Sequence, residues 1–448
     1  MSTDSTLQRW LERIETHHSG QKEFRQAAEE VLRSILPLWK DRSDWQDRAV
    51  VERLLEPDRL IRFRVTWRDD GGGVRVNRAW RVQWSNALGP YKGGLRFHPT
   101  VSPSVLNFLA FEQTFKNSLT GLPLGGAKGG SDFDPHGASE REIERFCRAL
   151  MTELHRHIGE DVDVPAGDIG VGAREIGFLF GAYTAIRNRW AGVLTGKSVG
   201  YGGSAMRTEA TGWGAVLFLC HMLDQHGTDL EGREVAISGA GNVALYAAQK
   251  AIEMGATVVS LSDSNGAIHA PDGLDLERWE AVRALKEDEG GRLSALEGRW
   301  SDVSYVDGAT PWGFPCDVAL PCATQNELDA DAARALVQGG LHAVTEGANM
   351  PCTAGAVAVF REAGVLLAPG KAANAGGVAV SGLEMSQNAG RLSWEREQVT
   401  EKLEDLMQDI HDRCVEHGGD GDRIDYIRGA NRAGFIRVAD ALAAYGAG

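Results

Sequence analysis

Residues 233–263 constrain the fold more than any other part of the chain. They read REVAISGAGNVALYAAQKAIEMGATVVSLSD: an apolar strand, a glycine-containing turn, a helix and a second apolar strand. Strands that alternate with helices in this way predict a parallel sheet. The alternation continues through CDVALPCA, LHAVTEGAN and VLLAPG. The second half of the chain is therefore predicted to contain an α/β domain.

The turn in this segment, GAGNVA at 239–244, matches the pattern G-x-G-x-x-A. The pattern alone is weak, but here it follows a strand and opens a helix, and Asp263 lies about 20 residues further on, after the next strand. Gly239 would form the turn, Gly241 would let the backbone approach a pyrophosphate, and the helix start at Val243 would face the phosphates. The sequence thus predicts a Rossmann-like dinucleotide-binding domain.

The choice between NAD and NADP is open at this point. Asp263 would repel a 2′-phosphate and so favours NAD, but Ser262 and Ser264 flank it. Lys286 and Arg292 follow in ALKEDEGGR, and NADP is preferred if either cation folds back over the adenosine ribose. The same spacing also fits a solvated helix end, on which neither cation would contact a cofactor.

Lysine is scarce in this chain, with 10 lysines against 37 arginines, yet Lys92, Lys116 and Lys128 fall within 37 residues. Lys128 lies in GLPLGGAKGG, and no Ser or Thr follows it, so this is not a phosphate-binding loop with a magnesium ligand. A desolvated lysine can lose its proton near neutral pH, whereas arginine cannot. Three lysines beside glycine-rich loops predict a pocket for a small anion.

Two further polar groups extend this pocket. Gln113 and Lys116 are three residues apart in a predicted helix and share a face, although Lys116 also has Glu112 at the spacing of an ion pair. Asp168 lies in PAGDIGVG, a glycine-bounded turn in which Asp needs no function beyond forming the turn. As a carboxylate near Lys128 it could instead transfer protons.

Composition excludes several other classes of protein. The net charge of −15 argues against nucleic acid as the main partner, and no run of about 18 apolar residues predicts a membrane span. The polar N-terminus is unlike a secretory signal. The six cysteines are scattered without C-x-x-C spacing or a histidine cluster, so we expect reduced thiols and no metal site.

Seven segments together resemble the glutamate dehydrogenases, specifically the shorter hexameric type of bacteria and fungi. These segments are PYKGGLRFHP, GGAKGGSDFDP, PAGDIGVG, EATGWG, GAGNVA, EGANMP and PGKAANAGGVAVSGLE. They occur in consistent order and spacing from about residue 20 to the C-terminus. Several of them are long and specific.

The resemblance implies two α/β domains separated by a cleft. Residues 1–203 would form the substrate-binding and oligomerisation domain, residues 204–374 the dinucleotide-binding domain, and residues 375–448 would be helices that return to the substrate domain. It also implies a cytoplasmic homohexamer that uses NADP rather than NAD and acts on L-glutamate, 2-oxoglutarate and ammonium. No nucleic acid or membrane partner is expected.

The resemblance also assigns roles to residues of the substrate site. Lys92, helped by Ser381, would bind the side-chain carboxylate of glutamate, and Gln113 and Lys116 would bind the α-carboxylate. Two further substrate contacts are assigned to Gly167 and Arg207.

Lys128 would be the catalytic lysine and Asp168 the proton-transfer group. Because burial and two neighbouring cations both disfavour its ammonium form, we expect a lowered pKa for Lys128. Besides the glycine-rich turn, Ser262, Asp263 and Lys286, the cofactor contacts implied are Thr211, Asn242, Asn349 and Asn374.

The predicted reaction is the reversible, NADP-dependent oxidative deamination of L-glutamate, running mainly as reductive amination in ammonia assimilation. One alternative is a branched-chain or aromatic amino-acid dehydrogenase of the same fold, but an apolar substrate side chain has no use for a buried cation at Lys92. A second alternative is a non-catalytic protein that senses nucleotides.

Overall fold

The computed structural model describes residues 5–419 and 423–446 and divides into two compact units. The first unit comprises Met1–Ala205, Val378–Val399 and Asn431–Gly448, and the second comprises Met206–Gly377 and Thr400–Ala430. All of residues 375–448 were expected to return to the first unit, whereas residues 375–377 and 400–430 group with the second.

The apolar face of one charged helix explains this difference. Leu403, Met407, Ile410 and Cys414 recur at helical spacing and are fully buried. Met407 lies against Gly214 of the second unit, where an added Cβ would be 3.2 Å from the Met407 sulfur. The sequence pattern showed a helix but not the surface on which its apolar stripe packs.

The first unit is built on a five-stranded mixed sheet of order β1-β2-β4-β3-β5. Strand β2 is antiparallel to both β1 and β4, while β3 lies parallel to both β4 and β5. Its strands are β1 (Arg59–Arg68), β2 (Val74–Ser85), β3 (Tyr91–Phe97), β4 (Gly126–Ser131) and β5 (Asp163–Ala166). Its helices are α1 (Ser5–His17), α2 (Lys22–Lys40), α3 (Ser43–Asp47), α4 (Val50–Leu54), α5 (Pro103–Leu119), α6 (Glu140–Leu154) and α7 (Ala173–Arg187).

Local sequence signals explain several of these elements. Strands β1 and β2 form a hairpin in which every residue of β1 is paired with a residue of β2. Ser102 caps α5 through its hydroxyl, which accepts from the Val105 amide, and Pro103 takes the first helical position. Ser139 and Glu142 form a capping box at the start of α6.

The two glycine-rich lysine segments are strands, so their prediction as loops is wrong. They form β3 and β4, both buried along their whole length. Glycine is required at β4 because a Cβ at Gly126 would lie 2.6 Å from the Cα of Thr114 on α5. The glycines therefore bring helix and strand together more closely than any side chain would allow.

We expect Gly126→Ala to lower the free energy of unfolding by about 1–3 kcal/mol, since the backbone of α5 must move to admit the methyl group. Gly181→Ala is the matched control, because a Cβ at Gly181 in α7 meets nothing within 4 Å. Thermal unfolding of both variants checks this. Equal melting temperatures for the two would contradict the close approach of α5 and β4.

The second unit contains a seven-stranded sheet of order β12-β11-β10-β6-β7-β8-β9. The predicted parallel sheet is confirmed for β12 to β7, but β8 and β9 extend it antiparallel. The strands are β6 (Glu234–Ile237), β7 (Thr257–Ser262), β8 (Gly266–Leu274), β9 (Ser304–Asp307), β10 (Val318–Leu320), β11 (Ala343–Thr345) and β12 (Leu366–Ala368). The helices are α8 (Ala210–Gln225), α9 (Asn242–Glu253), α10 (Leu276–Arg283), α11 (Ala330–Gln338), α12 (Ala354–Ala363) and α13 (Gly370–Ala373).

Within each of three C-terminal helices, the chain passes from one unit to the other. They are α14 (Gly376–Gly390), α15 (Arg396–Gly418) and α16 (Tyr426–Tyr445). Within residues 5–419 and 423–446, none of the helices has the length and apolar character needed to cross a bilayer.

Candidate functional site

The sheet of the first unit places several cations on one face. Successive side chains of a strand alternate between faces, so Lys92 and Arg96 of β3 project to the same side. Leu95 is aligned with Gly129 of the parallel strand β4, which places Lys128 on that face too. All three cationic side chains are buried.

A buried carboxylate joins two of these cations. Asp168 follows β5 in a turn, and its two oxygens have different partners: the Lys128 Nζ donates to Oδ1 at 2.6 Å, and the Arg96 Nε donates to Oδ2 at 2.5 Å. This turn passes over Gly94, where a Cβ would come within 2.7 Å of the Gly167 carbonyl oxygen. Gly94 thus permits the approach that brings Asp168 to Lys128.

Burial and neighbouring charges shift the pKa of both members of the Lys128–Asp168 pair. Burial lowers the pKa of Lys128, and Arg96 and Arg81 lower it further, while Asp168 acts in the opposite direction. Burial acts to raise the pKa of Asp168, but the charges of Lys128 and Arg96 outweigh it and hold that pKa well below its usual range. The sequence anticipated the direction for Lys128, but the neighbouring cations are arginines rather than the other two lysines.

Arg81 belongs to a second, fully buried ion pair. Its guanidinium donates to both oxygens of Asp163, and Gln83 donates to the same carboxylate at 2.9 Å. One guanidinium nitrogen also donates to the Gly93 carbonyl oxygen at 3.1 Å. The pair therefore ties β2, β3 and β5 together beneath the cationic face.

The ammonium of Lys92 donates to the Thr195 hydroxyl at 2.7 Å. The segment that carries Thr195 is joined to α14 because Glu384 accepts from the Gly196 amide at 2.8 Å and pairs with Lys197 at 2.8 Å. Ser381 lies on the same helix, one turn before Glu384, and is buried.

Helix α5 carries the other two predicted substrate residues. Gln113 donates to Asn117 at 2.6 Å, and Lys116 is buried at 8% exposure. Asn117 in turn donates to the Lys92 carbonyl oxygen at 3.1 Å, which fixes α5 against β3. The close packing of α5 thus brings this helix to the strand of Lys92.

The second unit has the geometry of a dinucleotide turn. Gly239 has φ +90°, a conformation that favours glycine, and its amide donates to the Ser262 hydroxyl at 2.9 Å. A Cβ at Gly241 would meet nothing within 4 Å, so the space in front of this turn is open. Asn242 and Val243 begin α9 at this opening.

Both candidate cations contact the acidic turn that follows β7. Lys286 Nζ lies 3.7 Å from the Asp263 carboxylate, and Arg292 donates to the Ser264 hydroxyl at 2.6 Å. Asp263 is committed to local structure, because its two oxygens accept from the Asn265 and Leu293 amides. Burial opposes ionisation of Asp263, but these amides and both cations lower its pKa.

The remaining predicted cofactor residues also lie in the second unit. Asn374 donates through Nδ2 to Asn349 Oδ1 at 3.1 Å, while its own buried Oδ1 has no hydrogen-bond partner among the described residues. Thr211 lies in the first turn of α8. A Cβ added at Gly377 would lie 2.3 Å from the Thr211 hydroxyl. Arg207 precedes α8 in the same unit.

Sequence reasoning missed Arg96, Thr195 and the Arg81–Asp163 pair. Arg96 had a usable signal, since it lies four residues after Lys92 and shares its face once this segment is taken as a strand. Thr195 had none, because 103 positions separate it from Lys92. Over the part of the chain that the structure describes, His, Cys, Asp and Glu form no group of three that could hold a metal ion.

Two family models match most of the chain. The model described as Glutamate/Leucine/Phenylalanine/Valine dehydrogenase matches residues 202–446, and the model of the Glu/Leu/Phe/Val dehydrogenase dimerisation domain matches residues 57–185.

Individual relatives match over their full length. The chain is 53% identical to the NADP-specific glutamate dehydrogenase of Escherichia coli (strain K12) and 54% identical to that of Salmonella typhimurium, in each case over 100% of both chains. Among solved structures, the glutamate dehydrogenase of Plasmodium falciparum superimposes with a TM-score of 0.96 at 48% identity, covering 99% of this chain and 95% of the other.

Proposed function

Because the chain belongs to the Glutamate/Leucine/Phenylalanine/Valine dehydrogenase family, we propose that it is an NADP-dependent glutamate dehydrogenase. It converts L-glutamate, NADP⁺ and water to 2-oxoglutarate, ammonium, NADPH and a proton, and it catalyses the reverse amination. The observation that carries the chemistry is the buried Lys128, whose pKa is lowered and whose Nζ donates to the ionised Asp168.

Substrate binding follows from the charges of the first unit. Lys92, with the hydroxyls of Thr195 and Ser381, binds the side-chain carboxylate, and this cation is what selects glutamate over apolar amino acids. Lys116 and Gln113 bind the α-carboxylate. Two more proposed contacts are Gly167 beside Asp168 and Arg207 before α8.

Bound NADP⁺ would supply the hydride acceptor, and loss of a hydride from the α-carbon of glutamate would leave an iminium. Lys128 in its neutral form takes a proton from water as the water oxygen bonds to that carbon. The resulting ammonium of Lys128 stabilises charge on the tetrahedral adduct. Asp168 Oδ1, 2.6 Å from Nζ, relays that proton from the Lys128 ammonium to the departing nitrogen. The hydroxyl of the adduct then gives its proton to the neutral Lys128 as the carbonyl forms and ammonia leaves.

The residues of the second unit fit a dinucleotide. The open turn at Gly241 admits a pyrophosphate to the start of α9, where Asn242 and Val243 supply amides. The unpartnered Oδ1 of Asn374 is an acceptor for a ligand amide, with Asn349 beside it. Thr211 and Gly239 complete the proposed contacts.

NADP, rather than NAD, fits the acidic turn. Ser264, Lys286 and Arg292 gather around it, so two cations and a hydroxyl are available to a 2′-phosphate. Ser262 and Asp263 also shape this turn, since the Ser262 hydroxyl accepts from Gly239 and Asp263 accepts from two amides, and both remain proposed cofactor contacts.

We expect Lys286→Glu to raise the KM for NADPH about 10–100-fold, because one hydrogen bond to a charged group is lost. The KM for NADH should stay nearly unchanged. Lys402→Glu on α15 makes the same charge change and is the control. Steady-state kinetics with both cofactors check this. Wild-type turnover that is equal or faster with NADH would remove the NADP assignment but leave the reaction.

The reaction itself is tested with the purified chain, 2-oxoglutarate, ammonium and NADPH, by following NADPH absorbance. Glutamate must form, and 2-oxo acids with branched or aromatic side chains must be poor substrates. Faster turnover of those acids would favour a branched-chain or aromatic amino-acid dehydrogenase. Absence of turnover with every 2-oxo acid would favour a nucleotide-sensing protein.

We further propose a homohexamer in the cytoplasm. The match to a dimerisation domain at residues 57–185 supports self-association, and the six unpaired cysteines suit a reducing compartment. Sedimentation equilibrium should give six times the chain mass of 48.4 kDa.

A further inference from the structure

Arg96 contacts the proposed catalytic pair but belongs to none of the binding functions above. Its Nε donates to Asp168 Oδ2 at 2.5 Å, opposite the oxygen that accepts from Lys128. Its side chain is 8% exposed, so water screens little of its charge. Arginine does not lose its proton in proteins, so this charge is permanent while that of Lys128 is not.

We propose that Arg96 is a positioning residue of the reaction, which fixes the Asp168 carboxylate on Lys128 and places a permanent positive charge beside the pair. This inference rests on the proposed function. Oδ2 accepts from Arg96 and Oδ1 accepts from Lys128, so the two cations together fix the position and plane of the carboxylate. The proton-transfer path between Lys128 and Asp168 is thereby restricted to one geometry.

The charged groups around Lys128 determine how its pKa should change when Arg96 is removed. They are Asp168 and Arg96 on one side, with Arg81 and its partner Asp163 beneath the sheet. Arg96 lowers the pKa of both Lys128 and Asp168. Without its charge, both groups should titrate at higher pH, an effect that loss of packing alone would not produce.

The test compares Arg96→Gln, which removes the charge, with Arg96→Lys, which keeps a charge but loses the planar Nε donor. Arg78→Gln is the matched control, because Arg78 donates to Asp132 at 2.7 Å from the exposed side of β2. The measurements are the pH dependence of kcat and the pH dependence of Lys128 carbamylation by cyanate, read by mass spectrometry. Cyanate reacts with the neutral amine, so this second readout needs no turnover.

We expect Arg96→Gln to lower kcat about 10–100-fold through misplacement of Asp168, and to shift both the kcat limb and the cyanate profile of Lys128 to higher pH. Arg96→Lys should keep the cyanate profile near that of the wild type and recover part of kcat. Arg78→Gln should change neither.

An Arg96→Gln variant that folds with an unshifted cyanate profile would overturn the proposal, as would one with normal kcat. If Arg96→Gln is too unstable to purify, the same comparison is made with Arg96→Lys, for which a normal kcat overturns the positioning role. Wild-type protein without glutamate turnover but with a shifted profile in Arg96→Gln would instead refute the proposed function and leave the coupling of Arg96 to Lys128 intact.

Discussion

Replacing Lys128 with arginine is expected to lower kcat at least about 100-fold, because the positive charge is kept and the proton transfer is lost. Lys128 is buried, and its pKa is lowered by burial and by Arg96 and Arg81, so the neutral amine forms at a lower pH than in a free lysine. A guanidinium cannot supply that base. Binding of NADPH, measured by fluorescence titration, should barely change, since the residues proposed to bind it lie in the second unit.

The pH profile separates proton transfer from simple attraction of the substrate anion. In the deaminating direction the rate should rise as Lys128 loses its proton, at a pH well below the ~10.4 of a free lysine. The Lys128→Arg enzyme should lack this limb, and Lys402→Arg serves as the control for the substitution itself. Near-normal turnover with an unchanged profile in Lys128→Arg would overturn the mechanism and leave the family assignment intact.

Lys92→Ala is expected to cost about 3–5 kcal/mol in kcat/KM for glutamate, which is roughly 10²–10³-fold or more, because the substrate carboxylate is then buried without its cation. Lys92 is 1% exposed and donates to the Thr195 hydroxyl, so water cannot easily replace its charge. Activity on norvaline, whose side chain is apolar, should fall far less or rise.

Thr195→Val is the matched variant for this prediction. It removes the hydroxyl that accepts from Lys92 but keeps the side-chain shape, so it should reduce kcat/KM for glutamate much less than Lys92→Ala. The ratio of kcat/KM for glutamate to that for norvaline is the quantity to compare. If Lys92→Ala leaves that ratio at its wild-type value, Lys92 does not select the substrate side chain.

Elements with a local cause were predictable from the sequence. The cap of α5 by Ser102 and the capping box of Ser139 and Glu142 depend on residues three positions apart. The dinucleotide turn depends on glycines two positions apart, of which Gly239 has a positive φ. The hairpin of β1 and β2 joins strands that are consecutive in the chain.

Strand β4 was not predictable in this way. Its sequence, GAKGGS, has low intrinsic strand propensity, since glycine weakens strands. It becomes a strand because β2 and β3 pair with both of its edges and α5 packs onto Gly126. The pairing of β9 with β8 and the packing of α15 in the second unit likewise depend on partners distant in sequence.

The sequence by itself determined the α/β class, the position of the dinucleotide turn and the candidates Lys92, Lys128 and Asp168, because residue type and local spacing carry those signals. Only the tertiary structure decided that Arg96 and Lys128 take opposite oxygens of one carboxylate. These contacts join β3, β4 and the turn after β5, and the nearer pair is separated by 40 positions. Distances between such segments are set by sheet order and by glycine-permitted packing, which no local pattern encodes.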